Sequence, residues 1–416
     1  MKIYNLLLIA LFTVAVTGAN LFSQTIQEKG GKFYTELKQE FQVQENGTLT
    51  IQDVQGNVEI QSWASLQVRV EEAIEMDVFT REEAEKILEH SQSGYSQQGN
   101  EIIIRGSSGK SWIKRNFKIK IPEKFNVTVS ANSGNLNVAR LQGAVKLATS
   151  GGNIQIQQVT GEVSVRTSGG NLTLSAITGA LNAATSGGNI VLEKLDGPAD
   201  VKTSGGNIDL RGAKKEVVLK TSGGNLTLAQ VDGNVQAATS GGSIDVTDCS
   251  GSLLVKTSGG NIHLRNLSGS VTAKTSGGDI EGENLKNSVE VKTSGGDIEL
   301  LNVQSSVTAA TSAGNIEVEL KPVEFSRALQ IDLRTSAGDI KLSLPEKMPA
   351  TIHAEIALGR SPRFERYDIY SDFPLSKNKA EKDGETSLIS QGEINGGGTP
   401  INLRTSAGNI RIGKNK

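Results

Sequence analysis

Cysteine is almost missing from this chain: Cys249 stands alone among 416 residues. A lone thiol cannot close an internal disulfide, so neither a bridged framework nor a paired-cysteine metal motif is available, and Cys249 reads as an inert core thiol. Aromatic residues are scarce at 4%, which argues against a platform that stacks single-stranded nucleic acid. No excess of one charge exists either. Lys and Arg total 43 against 45 Asp and Glu, a net charge of −2, so no global field attracts nucleic acid. Proline is rare at 8 and glycine plentiful at 47, a balance that suits turn-rich β-structure rather than a disordered linker.

Long apolar runs are also lacking, apart from a short one at the start. Lys2 precedes an apolar core from Leu6 to Val16, the pattern of a cleaved signal peptide rather than a membrane span. The signal peptide is expected over 1–23, with cleavage after Ala19 or Ser23. No cysteine directly follows it, so a lipid anchor is not expected. The mature chain is expected to carry no membrane span and to be periplasmic, at the cell surface or secreted.

What the sequence has in abundance is repetition. Ten threonines, Thr149, Thr167, Thr185, Thr203, Thr221, Thr239, Thr257, Thr275, Thr293 and Thr311, recur every 18 residues, nine of them opening T-S-G-G and the last T-S-A-G. A fixed short period means a solenoid, in which each repeat buries its apolar residues against its neighbours. Within one unit the aliphatic residues form two alternating pairs, Ile154/Ile156 and Val163/Val165, so each coil has two short strands with one face inward. Val159 adds a core contact. Gly161 and Gly151-Gly152 mark the corners, where positive φ values are expected. A left-handed hexapeptide helix also has 18 residues per coil, but it needs an aliphatic residue at every sixth position, which this sequence does not have.

The expected fold is therefore all-β, a right-handed parallel β-solenoid with 18-residue, two-strand coils and a small α/β capping insertion near the N-terminus. At a spacing of about 4.8 Å, about 13 coils give a rod on the order of 60 Å long. Parity turns the threonine column inward, where its hydroxyls can bond along the stack. The Asn153, Asn171, Asn189, Asn207 and Asn225 column, continued by Ser243, Asn261, Asp279 and Asp297, should bond neighbouring backbone groups in the turns.

The expected organisation is a first coil with an inserted cap over 24–130, a regular solenoid over 131–344, and a C-terminal loop cap with a final coil over 345–416. Leu49, Ile51, Val54, Gly56, Val58 and Ile60 fit the template; residues 62–126 leave it, and Val127 and Val129 rejoin it in phase. Thr80-Arg81-Glu82-Glu83-Ala84 opens a helix in this excursion with an N-cap and early acids. Near the other end, Phe364, Tyr367, Tyr370 and Phe373 recur every three residues among Arg360, Arg363 and Arg366, before a last coil containing Ile401, Leu403, Ile410 and Ile412.

No motif singles out a catalytic centre. Gly295-Gly296-Asp297-Ile298-Glu299-Leu300 is superficially similar to the calcium β-roll repeat, an alternative confined to Asp279, Glu281, Asp297, Glu299 and Glu317; most turns offer Asn instead of the acids such a roll needs. A carbohydrate-active β-helix enzyme is a second alternative, but it needs a localised acid pair, and the acids here repeat. His90, His263 and His353 lie far apart in the repeat. No cofactor, metal or catalytic residue is assigned. The candidate binding surface is the set of aromatic residues at the irregular ends: Trp63, Trp112, Phe364, Tyr367, Tyr370 and Phe373.

Gly47-Thr48-Leu49-Thr50-Ile51, Val54-Gln55-Gly56-Asn57-Val58, Ile121-Pro122-Glu123-Lys124-Phe125-Asn126-Val127, the T-S-G-G-N-I units and Gly392-Glu393-Ile394-Asn395-Gly396-Gly397-Gly398 together carry a resemblance. The chain resembles the adhesin-like bacterial proteins whose domain is called DUF4097, related to the auto-transporter adhesin "head GIN" domain. The resemblance implies an extracytoplasmic β-solenoid serving as a surface binding or scaffold protein; a cell-envelope glycan or protein is the expected partner. It supplies no catalytic residues. The chain has no long C-terminal barrel segment, so export by auto-transport is not expected.

Overall fold

A computed structural model describes residues 25–106, 112–325, 329–359, 367–382 and 385–415. The expected signal peptide and Phe364 lie outside these residues. Each 18-residue unit forms two strands, as in Ile154–Thr160 followed by Val163–Arg166. Ile154–Thr160 pairs in parallel with Leu136–Gln142 before it and Leu172–Thr178 after it, while Val163–Arg166 pairs with Val145–Thr149 and Leu181–Ala184. Two parallel ladders thus run the length of a β-solenoid. Their inward side chains meet in one apolar core that extends from Val43 to Ile412.

The inward parity of the threonines is observed. Thr167 is 2% exposed; its Oγ1 donates to the Gly152 carbonyl at 2.9 Å and accepts from the Gly170 N–H at 3.3 Å. Thr221 repeats the pattern with Gly206 and Gly224 at 2.9 and 3.3 Å. Each hydroxyl ties its own corner to the preceding one. The asparagine column forms a second ladder, in which the Asn153 side-chain oxygen accepts from the Asn171 N–H at 2.8 Å and Asn171 serves Asn189 in the same way. Only an acceptor oxygen is needed. Ser243, Asp279 and Asp297 accordingly take the same place, accepting from Asn261, Asp297 and Asn315 N–H groups.

The corner glycines require a correction. Gly161 has the expected positive φ, 150°, but the T-S-G-G glycines do not adopt a left-handed backbone. Their second member is fixed by contact instead: a Cβ on Gly206 would sit 2.0 Å from the Gly188 carbonyl oxygen, whereas one on Gly205 would meet nothing nearer than 3.8 Å. This explains T-S-A-G, since Ala313, Ala337 and Ala407 replace only the first glycine and Gly314, Gly338 and Gly408 are kept.

The left-handed residues stand elsewhere, in a column without a fixed residue type. Arg140, Gln158, Ala176, Lys194, Gln230, Asp248, Asn266, Asn284 and Asn302 have φ between 52 and 58°, and Gly212 takes the same position with φ 80°. The turn they make is a bulge. It leaves Gln157 and Gln158 both outward, so that Ile156 and Val159 both reach the core.

At each end the coils are layered out of sequence order. We label the N-terminal strands β1 (Gln27–Lys29), β2 (Lys32–Gln42), β3 (Gly47–Trp63), β4 (Gln67–Met76), β5 (Gly94–Gln98), β6 (Glu101–Arg105), β7 (Ile113–Pro122), β8 (Phe125–Ser133) and β9 (Leu136–Gln142), with helix α1 (Arg81–His90) between β4 and β5. The long β3 strand supplies both ladders, pairing with β8 and then β9 on one side. On its other side lie β6 and β7, also parallel. Antiparallel strands then close the stack: β5 on β6, and β4, β2 and β1 in succession on β7. Thr80 caps α1 as expected, accepting from the Glu83 N–H at 3.2 Å.

The C-terminal end mirrors this arrangement. The coil containing Thr399–Thr405 and Ile410–Lys414 stacks on Ile331–Arg334 and Ile340–Leu344. It is last in sequence but not in space, because Ala350–Gly359 and Ile369–Ser371 pair on its far side. The antiparallel Glu385–Ile394 and Ser376–Lys382 strands follow. The outermost edge, Ser376–Lys382, carries three lysines, and charged side chains of this kind discourage further strand addition.

Two outcomes follow from this packing. Gly206→Ala should destabilise the chain by about 1–3 kcal/mol through overpacking, while Gly205→Ala stays within about 0.5 kcal/mol; calorimetric melting of both variants checks the contrast, and equal shifts would contradict it. Cys249 is 3% exposed, and burial pushes its thiol up to about 11. A thiol-specific disulfide reagent at neutral pH should therefore react only after unfolding.

Candidate functional site

The regular coils spend their corner side chains on one another, and the aromatic candidates lie at the irregular ends. Trp63 ends β3 and is half-buried. Its indole Nε1 donates to the Gln67 carbonyl at 2.8 Å, and Arg69 and Lys120 lie 4.9 and 5.7 Å from the ring centroid. Those cations form π contacts that hold the ring in place. A shallow depression of about 240 Å³ lies beside them, lined by Glu59, Gln61, Glu71 and Lys118.

Trp112 is more open, at 43% exposure. Its carbonyl accepts from Asp77 N–H at 2.9 Å, which places it at the end of the antiparallel β4–β7 pair beside the start of α1. Phe79, two residues beyond Asp77, is 99% exposed. The sequence reading missed it. Its signal was the position before an N-cap, where an apolar residue ordinarily folds back onto the first turn; here the Phe79 N–H is bound by Glu83 Oε2 at 3.1 Å while the ring stays in solvent.

The C-terminal aromatics separate. Tyr370 is 52% exposed, with the Arg411 guanidinium 5.7 Å from its ring. Phe373 is 7% exposed and belongs to the core, and Tyr367 packs against that core half-buried. The strand Ile369–Ser371 explains the division, since alternation sends Ile369 inward and Tyr370 outward, and the turn held by Ser371 Oγ then returns Phe373 to the interior. Trp63 and Trp112 therefore occupy one end of the solenoid, and Tyr367, Tyr370 and Phe373 the other.

Ionisable groups gather at one buried point. Glu72 and Arg115 form an ion pair in which the side chains are 0% and 2% exposed. Ser93 Oγ donates to Glu72 at 2.9 Å, Tyr95 donates to the same carboxylate, and Arg115 donates to the Ser91 carbonyl at the end of α1. Burial, then the Glu72 charge, holds the Tyr95 phenol far above its ordinary range. This network fastens the helix to the cap. The histidines are dispersed: His90 bonds Lys86 on α1, His353 lies near Gln391, and His263 Nδ1 is 2.6 Å from Asp245 Oδ1. Among the described residues, no group of three or more His, Cys, Asp or Glu is arranged to hold a metal ion.

Comparison with known proteins agrees with this architecture. The family model described as Toastrack DUF4097 matches residues 37–242, 200–298 and 220–413. Among solved structures, a candidate adhesin from Bacteroides fragilis is similar at 12% identity and a TM-score of 0.23, over 74% of this chain and 96% of its own. A candidate cell adhesion protein from Clostridium sporogenes matches at 10% identity and a TM-score of 0.16, over 91% of this chain and 99% of its own. A candidate lipid binding protein from Parabacteroides distasonis matches at 14% identity and a TM-score of 0.17, over 74% and 97%. No curated protein matches the sequence. The family match spans nearly all of the described solenoid, and the chain belongs to the Toastrack DUF4097 family.

Proposed function

We propose that this chain is an exported, non-enzymatic, adhesin-like rod that holds a cell-envelope glycan or protein through its irregular ends. One observation carries the reading. Every large apolar side chain exposed among the described residues lies outside the regular strands: Leu66, Phe79, Trp112 and Tyr370 towards the irregular ends, and Val323 and Phe325 in an insertion between Ile316–Leu320 and Ile331–Arg334. Exposed aromatics supply contact area and a face for cations or sugars. The uniform coils between them space the two ends apart. No helix among the described residues is long and apolar enough to cross a membrane, and the apolar segment at the start of the sequence supports export.

The binding test uses a Phe79→Ala, Trp112→Ala, Tyr370→Ala triple variant, measured against immobilised envelope glycans and whole cells. Binding should fall by at least about tenfold, as loss of central aromatic anchors implies, with unchanged circular dichroism. Undiminished binding would move the contact surface to the shaft. Phe373→Ala should behave differently, costing about 3–5 kcal/mol of stability. A chelator distinguishes the calcium alternative. Asp279 and Asp297 already accept backbone N–H groups, so the expected melting temperature is the same with and without it, and a chelator-induced loss of β signal would refute that assignment.

A further inference from the structure

Over five coils the solenoid carries opposite charges in register on its two outer faces, the acidic column giving way to Lys341 and Arg411 beyond Glu317. On the ladder containing Val163–Arg166, one outward column reads Arg166, Ala184, Lys202, Lys220, Ala238, Lys256, Lys274, Lys292, Ala310, Arg334 and Arg404, each aligned with the next. On the other ladder, Asp245, His263, Glu281, Glu299 and Glu317 align in the same way, and Glu283 and Glu319 stand one outward position further along their strands. In the basic column Lys202 is paired with Asp200 at 2.9 Å, Lys274 with Glu290 at 2.8 Å and Arg334 with Asp332 at 2.6 Å, and in the acidic column Glu317 is paired with Lys341 at 2.6 Å. Among the described residues, no ion pair engages Lys256, Lys292 or Glu299, and all three are exposed.

Both stripes have the same period, one coil, because both are built by the same repeat. We infer that a second copy of this chain packs side by side with the first, the lysine stripe of one rod against the acidic stripe of its neighbour. Charges spaced about 4.8 Å apart along each stripe would meet partners at the same spacing, and like-charge crowding within each column would be relieved. The two faces differ, so the contact is heterologous. It leaves a free stripe on each outer side and generates open lateral arrays rather than closed dimers. This inference does not depend on what the aromatic ends bind.

The mature chain should associate reversibly at about 0.01 M salt, where the Debye length is about 30 Å, and dissociate at about 1 M, where it is about 3 Å; sedimentation velocity reads both. Two variants test the stripes: Lys256→Glu with Lys274→Glu and Lys292→Glu, and Glu281→Lys with Glu299→Lys and Glu317→Lys. Each alone should associate at least about tenfold more weakly than the parent, with native circular dichroism, and an equimolar mixture of the two should recover association. A parent that stays monomeric at low salt would overturn the inference, as would a mixture that fails to associate. Loss on lysine reversal alone, with the glutamate variant assembling like the parent, would also overturn it and assign the basic stripe to an external polyanion.

Discussion

The closest constraint in this molecule is the contact between each corner glycine and the carbonyl of the corner glycine one coil earlier. A methyl group at Gly206 would overlap the Gly188 oxygen, so that column must be glycine wherever coils stack at ladder distance. The same carbonyl row receives the threonine hydroxyls, as Gly188 does from Thr203 at 3.0 Å. Steric permission and hydrogen bonding therefore fall on one row of atoms. Threonine, glycine and the acceptor that follows them recur together because each coil must repeat the whole device to accept the next.

In-register stacking has a second consequence, electrostatic rather than steric. Each residue faces its own equivalents, so a charge accepted at one outward position is multiplied along the rod unless neighbouring coils vary it. The sequence varies the acidic column with His263, whose Nε2 lies 3.8 Å from Glu281 Oε2 while Nδ1 bonds Asp245. In the lysine column, alanines interrupt at Ala184, Ala238 and Ala310. Enough like charge remains to give each face a sign, although the chain as a whole is nearly neutral. Net charge thus conceals a pattern that the 18-residue spacing and the ladder register both reveal.

Much of the fold was legible because the repeat is internal evidence of contact: positions 18 apart must be neighbours. Strand pairs, inward threonines, the acceptor role of Asn153 and its copies, and the Thr80 cap all follow from parity and side-chain chemistry. The misread glycines show the limit. Gly151 and Gly152 look alike in sequence, and only the separation between coils distinguishes a tolerated glycine from an obligatory one. The left-handed column escaped for a different reason: Arg140, Gln158 and Ala176 share a backbone angle but no side-chain chemistry, so no residue type announces it. Order of layering at the ends was equally hidden, since β6 and β7 carry no repeat signature and take their places by pairing with β3.

The ends are where the repeat's logic must stop, and this accounts for their different composition. A parallel ladder always presents another edge, and both ends resolve this by turning the chain back so that antiparallel strands cover the outermost parallel layer. That reversal requires side chains the coils do not use: the Glu72–Arg115 pair to hold the helix, Phe373 to fill the last layer, and Trp63 fixed between Arg69 and Lys120. Some aromatics are therefore consumed in closure, and burial separates them from the more exposed ones. Phe79, Trp112 and Tyr370 are exposed although their neighbours are packed, so closure alone does not explain them, and the candidate contact groups are drawn from this remainder.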